Sequence, residues 1–164
     1  MITLVLGGAR SGKSTYAEHL MMHLPPPTTY LATLQLGDDQ DLADRVARHR
    51  ARRPADWYTA EAGLDLASVL RSLSGSVLLD SLGPWVALHG DAVVDGVALC
   101  RALTARVGHS VVVSEEVGLG VHPSSASGRH FRDALGTLNQ EVAAVADEVL
   151  LIVAGRALPL HAAP

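Results

Sequence analysis

The chain of 164 residues is poor in several things at once. It has one cysteine, Cys100, which excludes an internal disulfide and a cysteine-built zinc site. Aromatics make up only 4%, so the core must be built from Leu, Val and Ala. Charged residues are 18% against 48% apolar, far from the charge-rich, core-poor profile of disorder. No apolar run approaches the ~20 residues that a membrane helix requires. The apolar start, Met1 to Leu6, has no basic flank and is a poor signal peptide. Excess positive charge is also missing: the net charge is −4, which argues against a nucleic-acid binder held by bulk charge. These absences leave a cytoplasmic globular protein, with a length that fits one domain over 1–164. One further scarcity is informative. Of 13 basic residues only Lys13 is a lysine, which asks what a compact ammonium does there that a planar guanidinium would not.

What is present alternates. Ile2–Leu6, Thr28–Thr33, Ser76–Asp80, Ser110–Ser114 and Glu148–Val153 are short apolar runs that predict strands. Trp57–Thr59 and Ala157–Leu160 predict shorter ones. Helices are predicted over Ser14–Leu24, Asp39–Arg53, Leu64–Leu73, Asp91–Val107 and Ser127–Val145, with Gly96 a weak point and 117–125 a loop. Strands alternating with helices imply a mainly parallel sheet covered on both faces. Sites in such sheets lie beyond the carboxyl ends of the strands. The candidate segments are therefore Gly7 to Ser14, Asp80 to Trp85 and Glu115 to Gly120.

Gly7-Gly8-Ala9-Arg10-Ser11-Gly12-Lys13-Ser14 fits the phosphate-loop pattern G-x-x-x-x-G-K-[ST], with a strand before it and a helix after it. Glycines let backbone N–H groups close on phosphate oxygens, and the helix aims its positive end at the anion. Lys13 is suited to the β/γ-phosphates and the Ser14 hydroxyl to Mg²⁺. A second carboxylate for the metal is expected at the end of a buried strand. Asp80 fits, and Glu116 is the competing acid for a place in the site.

Arg45, Arg48, Arg50, Arg52 and Arg53 crowd around His49. At helical spacing Leu42, Val46, His49 and Arg53 share one face. One reading is a half-buried core histidine beside a solvated basic face. A second is a nucleophile: neighbouring arginines favour neutral imidazole and could grip a triphosphate, so that His49 attacks the α-phosphorus. Nucleic-acid binding is a third, weighed down by the negative net charge and few aromatics.

Taken together these residues resemble the bifunctional adenosylcobinamide kinase / adenosylcobinamide-phosphate guanylyltransferases of cobalamin biosynthesis. The resemblance rests on the phosphate loop, on Arg45-Val46-Ala47-Arg48-His49-Arg50 followed by Arg53-Pro54, Trp57, Thr59 and Glu61, and on Leu79-Asp80-Ser81-Leu82 with Trp85. It rests also on Glu116-Val117-Gly118-Leu119-Gly120-Val121 with Pro123, and on Arg129-His130-Phe131-Arg132-Asp133 with Gly136 and Asn139-Gln140. It implies a P-loop NTPase fold of the RecA-like, three-layer α/β kind. It implies phosphorylation of adenosylcobinamide by ATP or GTP, then transfer of GMP from GTP through a guanylylated histidine at the position of His49. It places Lys13, Asp80 and Glu116 with His49 in catalysis. It places Gly7 to Ser14, Arg45, Arg48, Arg53 and Glu61 at the nucleotide, and Mg²⁺ on Ser14 and Asp80. The partners it implies are a corrinoid and GTP or ATP, without nucleic acid or membrane insertion, in a homo-oligomer, for which it hints at a trimer. Where the family usually has Asn before the glutamate of the third motif, this chain has Glu115. Where Thr commonly follows the Leu of the second, it has Gly83-Pro84, and an Asn after the Trp is Leu88. Arg10, Arg129 and Arg132 remain open as phosphate contacts. The competing functions are a single-activity small-molecule kinase and a non-catalytic GTP-binding switch.

Overall fold

The computed structural model describes residues 1–34, 53–90 and 93–162. They form a seven-stranded sheet. In chain order the elements are β1 (Ile2–Gly7), α1 (Lys13–Met21), β2 (Thr28–Ala32), β3 (Tyr58–Glu61), α2 (Leu66–Ser72), β4 (Ser76–Asp80), α3 (Leu82–Leu88), α4 (Gly96–Ala105), β5 (Ser110–Glu115), α5 (Ala126–Val145), β6 (Glu148–Val153) and β7 (Arg156–Leu160). The strand order is β3-β2-β4-β5-β1-β6-β7. All pairs are parallel except β6 with β7. β5 thus lies between the strand that feeds the phosphate loop and the strand that ends at Asp80.

Both faces of the sheet are covered, so its central strands are apolar on both sides and show little alternation. On one face Leu4, Leu6, Leu79 and Val112 pack against α2, α3, α4 and α5 through Leu70, Trp85, Leu103 and Leu138. On the other, Val5, Tyr30, Leu78, Val111 and Val113 pack against α1 through Ala17 and Met21. The parity matters for function. On β4 and β5 the residues in step with Leu78 and with Val111 and Val113, namely Asp80 and Glu115, fall on the α1 side.

Local chemistry sets the helix starts. Asp65, Asp95 and Ser125 each accept from a backbone N–H three residues on, in Ser68, Ala98 and Gly128, satisfying donors that the first turn leaves orphaned. The predicted helix over Asp91–Val107 begins at Gly96 behind the Asp95 cap. There the space is taken, since a side chain at 96 would run into the Glu141 carboxylate and Leu138 of α5. Helix α1 stops at Met21, short of the predicted Leu24. β3 covers Tyr58–Glu61, shifted from the predicted Trp57–Thr59. The segment after β4, expected only as a site loop, turns at once into α3, with Pro84 in the first turn, where its missing N–H costs nothing. The predicted helix over Asp39–Arg53 lies outside the described residues except for Arg53.

Arg106 ties the far end of the sheet together. Its guanidinium donates to the Leu70, Leu73 and Gly75 carbonyls at 2.8, 2.6 and 2.7 Å and, through Nε, to Ser110 Oγ at 3.2 Å. Burial lowers its pKa, while the three carbonyls satisfy the charge. Among the described residues, no helix is long and apolar enough to cross a membrane.

Candidate active site

The phosphate loop runs from the end of β1 into α1. Arg10 and Gly12 take left-handed backbone angles, φ 57° and 94°, folding the loop back on itself; Ser11 N–H donates to the Gly8 carbonyl at 3.3 Å. The turn between β6 and β7 braces it from outside, with Gly155 N–H donating to the Ser11 carbonyl at 2.8 Å. That brace leaves no room beside Gly12, where a Cβ would lie 3.3 Å from the Gly155 Cα. Lys13 opens α1 and is 5% exposed. Its Nζ lies 3.4 Å from the Gly8 carbonyl and 3.5 Å from Glu115 Oε1. The one lysine of the chain is therefore held inside the loop.

Asp80 ends β4 facing this loop. Its Oδ1 accepts from Ser14 Oγ at 3.2 Å and its Oδ2 from the Tyr30 hydroxyl at 3.0 Å. Burial pushes the Asp80 carboxyl above the ordinary carboxylate range. The Tyr30 hydrogen bond opposes this, the Glu115 charge adds to it, and Ser14 and Lys13 oppose it. Burial, with the neighbouring Asp80 charge, pushes the Tyr30 phenol up in turn. A hydroxyl and a carboxylate oxygen converging at the mouth of a phosphate loop are the hard oxygen donors that suit Mg²⁺.

Glu115 is the residue that reading by motif left at the margin. Its Oε1 accepts from Ser81 Oγ at 2.8 Å and its Oε2 from the Gly83 N–H at 2.9 Å. A Cβ at position 83 would overlap Oε2 and lie 3.0 Å from the carboxyl carbon. Two of the departures from the resembled pattern, Glu115 and Gly83, are thus in contact: the acid fits because its neighbour has no side chain. Thr33 steadies the turn beneath them, accepting from Ser81 N–H at 3.0 Å and donating to the Ser81 carbonyl at 2.5 Å.

Glu116, one position on, points elsewhere. Its Oε1 accepts from Gly118 N–H at 2.6 Å within its own loop, and its backbone N–H donates to the Gly7 carbonyl at 3.1 Å. It braces the loop beside the phosphate site. Arg53, expected at the nucleotide, has a buried side chain, with its guanidinium carbon 3.1 Å above the Tyr30 ring centroid and Nε 3.9 Å from Glu18 Oε1. Glu61 ends β3, exposed, at the same carboxyl edge but paired with Ala32 two strands from Asp80. Arg10 is exposed on the loop. Arg129 donates to the Pro123 and Ser124 carbonyls, and Arg132 contacts Asp133 and His122. Arg45, Arg48 and His49 lie outside the described residues.

The sequence does not single out Tyr30 and Thr33 as site residues. A period-two signal was available in principle, because Tyr30 shares the face of Leu78 and Asp80, but it is invisible where both faces are apolar.

Comparison with known proteins bears on the family and the fold. Residues 3–160 match the family model described as cobinamide kinase / cobinamide phosphate guanyltransferase. The chain is 41% identical to the bifunctional adenosylcobalamin biosynthesis protein CobP of Pseudomonas aeruginosa over 173 residues, covering 100% of this chain and 99% of that one. It is 38% identical to CobU of Salmonella typhimurium, covering 94% and 97%, and 36% identical to CobU of Escherichia coli, again covering 94% and 97%. Among solved structures, an ATPase from a bacterial type III secretion system aligns at TM-score 0.57 with 12% identity, over 92% of this chain and 50% of that one. The assembled ATPase EscN of enteropathogenic E. coli aligns at 0.56 with 11% identity, over 93% and 43%. These two likenesses show a shared RecA-like P-loop architecture.

Proposed function

Because the chain belongs to the cobinamide kinase / cobinamide phosphate guanyltransferase family, acting with nucleotide substrates in cobalamin biosynthesis, we propose how its own residues divide that work. The observation that carries the reading is the convergence of Lys13, Ser14 and Asp80 at the carboxyl ends of β1 and β4.

In this reading the chain is one catalytic domain over 1–164. The loop from Gly7 to Ser14 wraps the triphosphate, and Lys13 exchanges its contact with the Gly8 carbonyl for phosphate oxygens. Ser14 and Asp80 would hold Mg²⁺, which supplies charge neutralisation on the phosphates. Phosphoryl transfer asks mainly for positioning and charge stabilisation, and these groups provide both. For the second reaction His49 is the residue that accepts GMP from GTP, with Arg45 and Arg48 on the phosphates. What supports it is the arginine-rich setting of His49 in a sequence with this family's motifs. Splitting the nucleotidyl transfer through a histidine turns one difficult displacement into two. Arg53 and Glu116 act here as supports, of Tyr30 and of the loop after β5. Glu61 is kept as a nucleotide contact on the strength of the resemblance. A homo-oligomer suits a small domain with so large a substrate as a corrinoid.

The test is incubation with Mg²⁺ and GTP labelled at the α-phosphorus, then denaturation and mapping of label. Acid-labile, base-stable label on His49, lost in His49→Ala, is the expected result. Label elsewhere, or retained in His49→Ala, overturns the assignment.

A further inference from the structure

The phosphorylation step needs a group to take the proton of the attacking hydroxyl. Asp80 is committed to Ser14 and Tyr30, and Glu116 to Gly118. Among the described residues, Glu115 is the carboxylate that faces the loop at Lys13. We propose that Glu115 is a catalytic residue of the phosphorylation step, accepting the proton of the substrate hydroxyl as the γ-phosphoryl group transfers. This rests on the reading that the phosphate loop holds the donor triphosphate.

Four observations carry it. Glu115 ends β5, between β1 and β4 in the sheet, so its carboxylate stands beside the phosphate loop. Its Oε1 lies 3.5 Å from Lys13 Nζ, the group suited to the γ-phosphate. The carboxylate is fixed from two sides: Gly83 N–H on Oε2 and Ser81 hydroxyl on Oε1. Each carboxylate oxygen has two acceptor directions, so once Lys13 turns from Oε1 to the phosphates a second hydroxyl can be received there. Finally, the side chain is 26% exposed against 6% for Lys13, which makes Glu115 the open side of the pair, where a substrate can arrive.

The step balances. The hydroxyl oxygen forms a bond to the γ-phosphorus. The bridging P–O bond breaks with its electron pair staying on the nucleoside diphosphate. The hydroxyl proton passes to Glu115 Oε1 and then to water. Guanylyl transfer makes no such demand, because the attacking atoms in its two halves, the lone-pair nitrogen of neutral His49 and then a phosphate oxygen, carry no proton to remove. The role is therefore specific to one of the two reactions.

The experiment measures both reactions, with nucleotide binding, in Glu115→Gln, Glu115→Asp and Lys13→Ala. Gln keeps the shape and the acceptor for Gly83 but not the basicity. In Glu115→Gln, kcat for phosphorylation is expected to fall about 100-fold, in the range for lost acid–base catalysis, while KM for both substrates stays within about threefold. GMP transfer to cobinamide phosphate should fall at least about tenfold less than phosphorylation, and Glu115→Asp should recover about tenfold over the amide. Phosphorylation near the wild-type rate in Glu115→Gln, with Lys13→Ala inactive, overturns the proposal and leaves the loop reading standing. Equal loss of both reactions with weakened nucleotide binding makes Glu115 an anchor for Lys13 and also overturns it. Wild-type phosphorylation in Lys13→Ala overturns the loop reading itself.

Discussion

The Tyr30 hydroxyl donates to Asp80 Oδ2 at 3.0 Å from the neighbouring strand, two residues back in register, while the Arg53 guanidinium carbon lies 3.1 Å over the centroid of the same ring. A buried cation, an aromatic ring and an acid thus form one line from α1 to the mouth of the phosphate loop. Asp80 thus accepts from Tyr30 on one oxygen and from Ser14 on the other.

Tyr30→Phe separates aiming from packing. The ring stays under Arg53, keeping the cation–π contact, but the donor to Asp80 is gone. A hydrogen bond to a charged group is worth about 1.5–3 kcal/mol, so turnover in phosphorylation should drop by about tenfold or more. The Mg²⁺ concentration for half-maximal rate should rise, with the melting temperature lower by roughly 3–10 °C. An unaltered rate and Mg²⁺ requirement would remove Tyr30 from the site.

Asp80 carries a cost in stability that runs with pH. Burial raises its folded pKa above the unfolded value, so in the window above the ordinary carboxylate pKa the native state binds more protons than the unfolded one. Linkage then makes this group's contribution fall as pH rises through that window. Asp80→Asn removes the titration. Urea unfolding without nucleotide should show the variant gaining on the wild type from pH 4 to pH 7, while phosphorylation is lost. A stability difference that is flat in pH would contradict this.

Lys13→Arg tests the solitary lysine. The side chain is buried inside the loop, against the Gly8 carbonyl and Glu115, and a planar fork does not fit where a compact ammonium does. Phosphorylation should fall by roughly 100-fold, about 2.7 kcal/mol, with far-ultraviolet circular dichroism unchanged. An active Lys13→Arg would mean that charge alone suffices there.

Arg106→Ala probes the far end of the sheet. It strips donors from three carbonyls and from Ser110. The expected loss is about 2–3 kcal/mol, given the cost of unsatisfied buried acceptors, read as a melting temperature roughly 5–10 °C lower. Turnover of the folded protein should be kept, since the site lies at the opposite strand ends.

Much of the fold and part of the site are legible in the sequence. Gly7 to Ser14 carries its own geometry, because a left-handed glycine and a following helix are local requirements. Strands around Val77-Leu78-Leu79 and Val111-Val112-Val113 announce themselves as short apolar runs, and an acid at such a strand end belongs at the site edge of a parallel sheet. Motif spacing reached the family for the same reason: catalytic segments sit at successive strand ends and keep their order.

Side-chain direction was settled by packing alone. Glu115 and Glu116 are neighbours in sequence and differ by half a strand period, so one meets Lys13 and the other its own loop. Nothing in a strand apolar on both faces tells which face looks at α1; that depends on the pairing of β5 between β1 and β4, strands far apart in the chain. Arg53 has the sequence context of a phosphate ligand, and its contacts with Tyr30 and Glu18 could not be read there, because only the folded chain brings β2 and α1 to it. The amino-acid order determined which chemistry this protein carries. The tertiary structure decided which of its like-charged residues faces the reaction, since that choice is made by strand pairing and burial across the sheet.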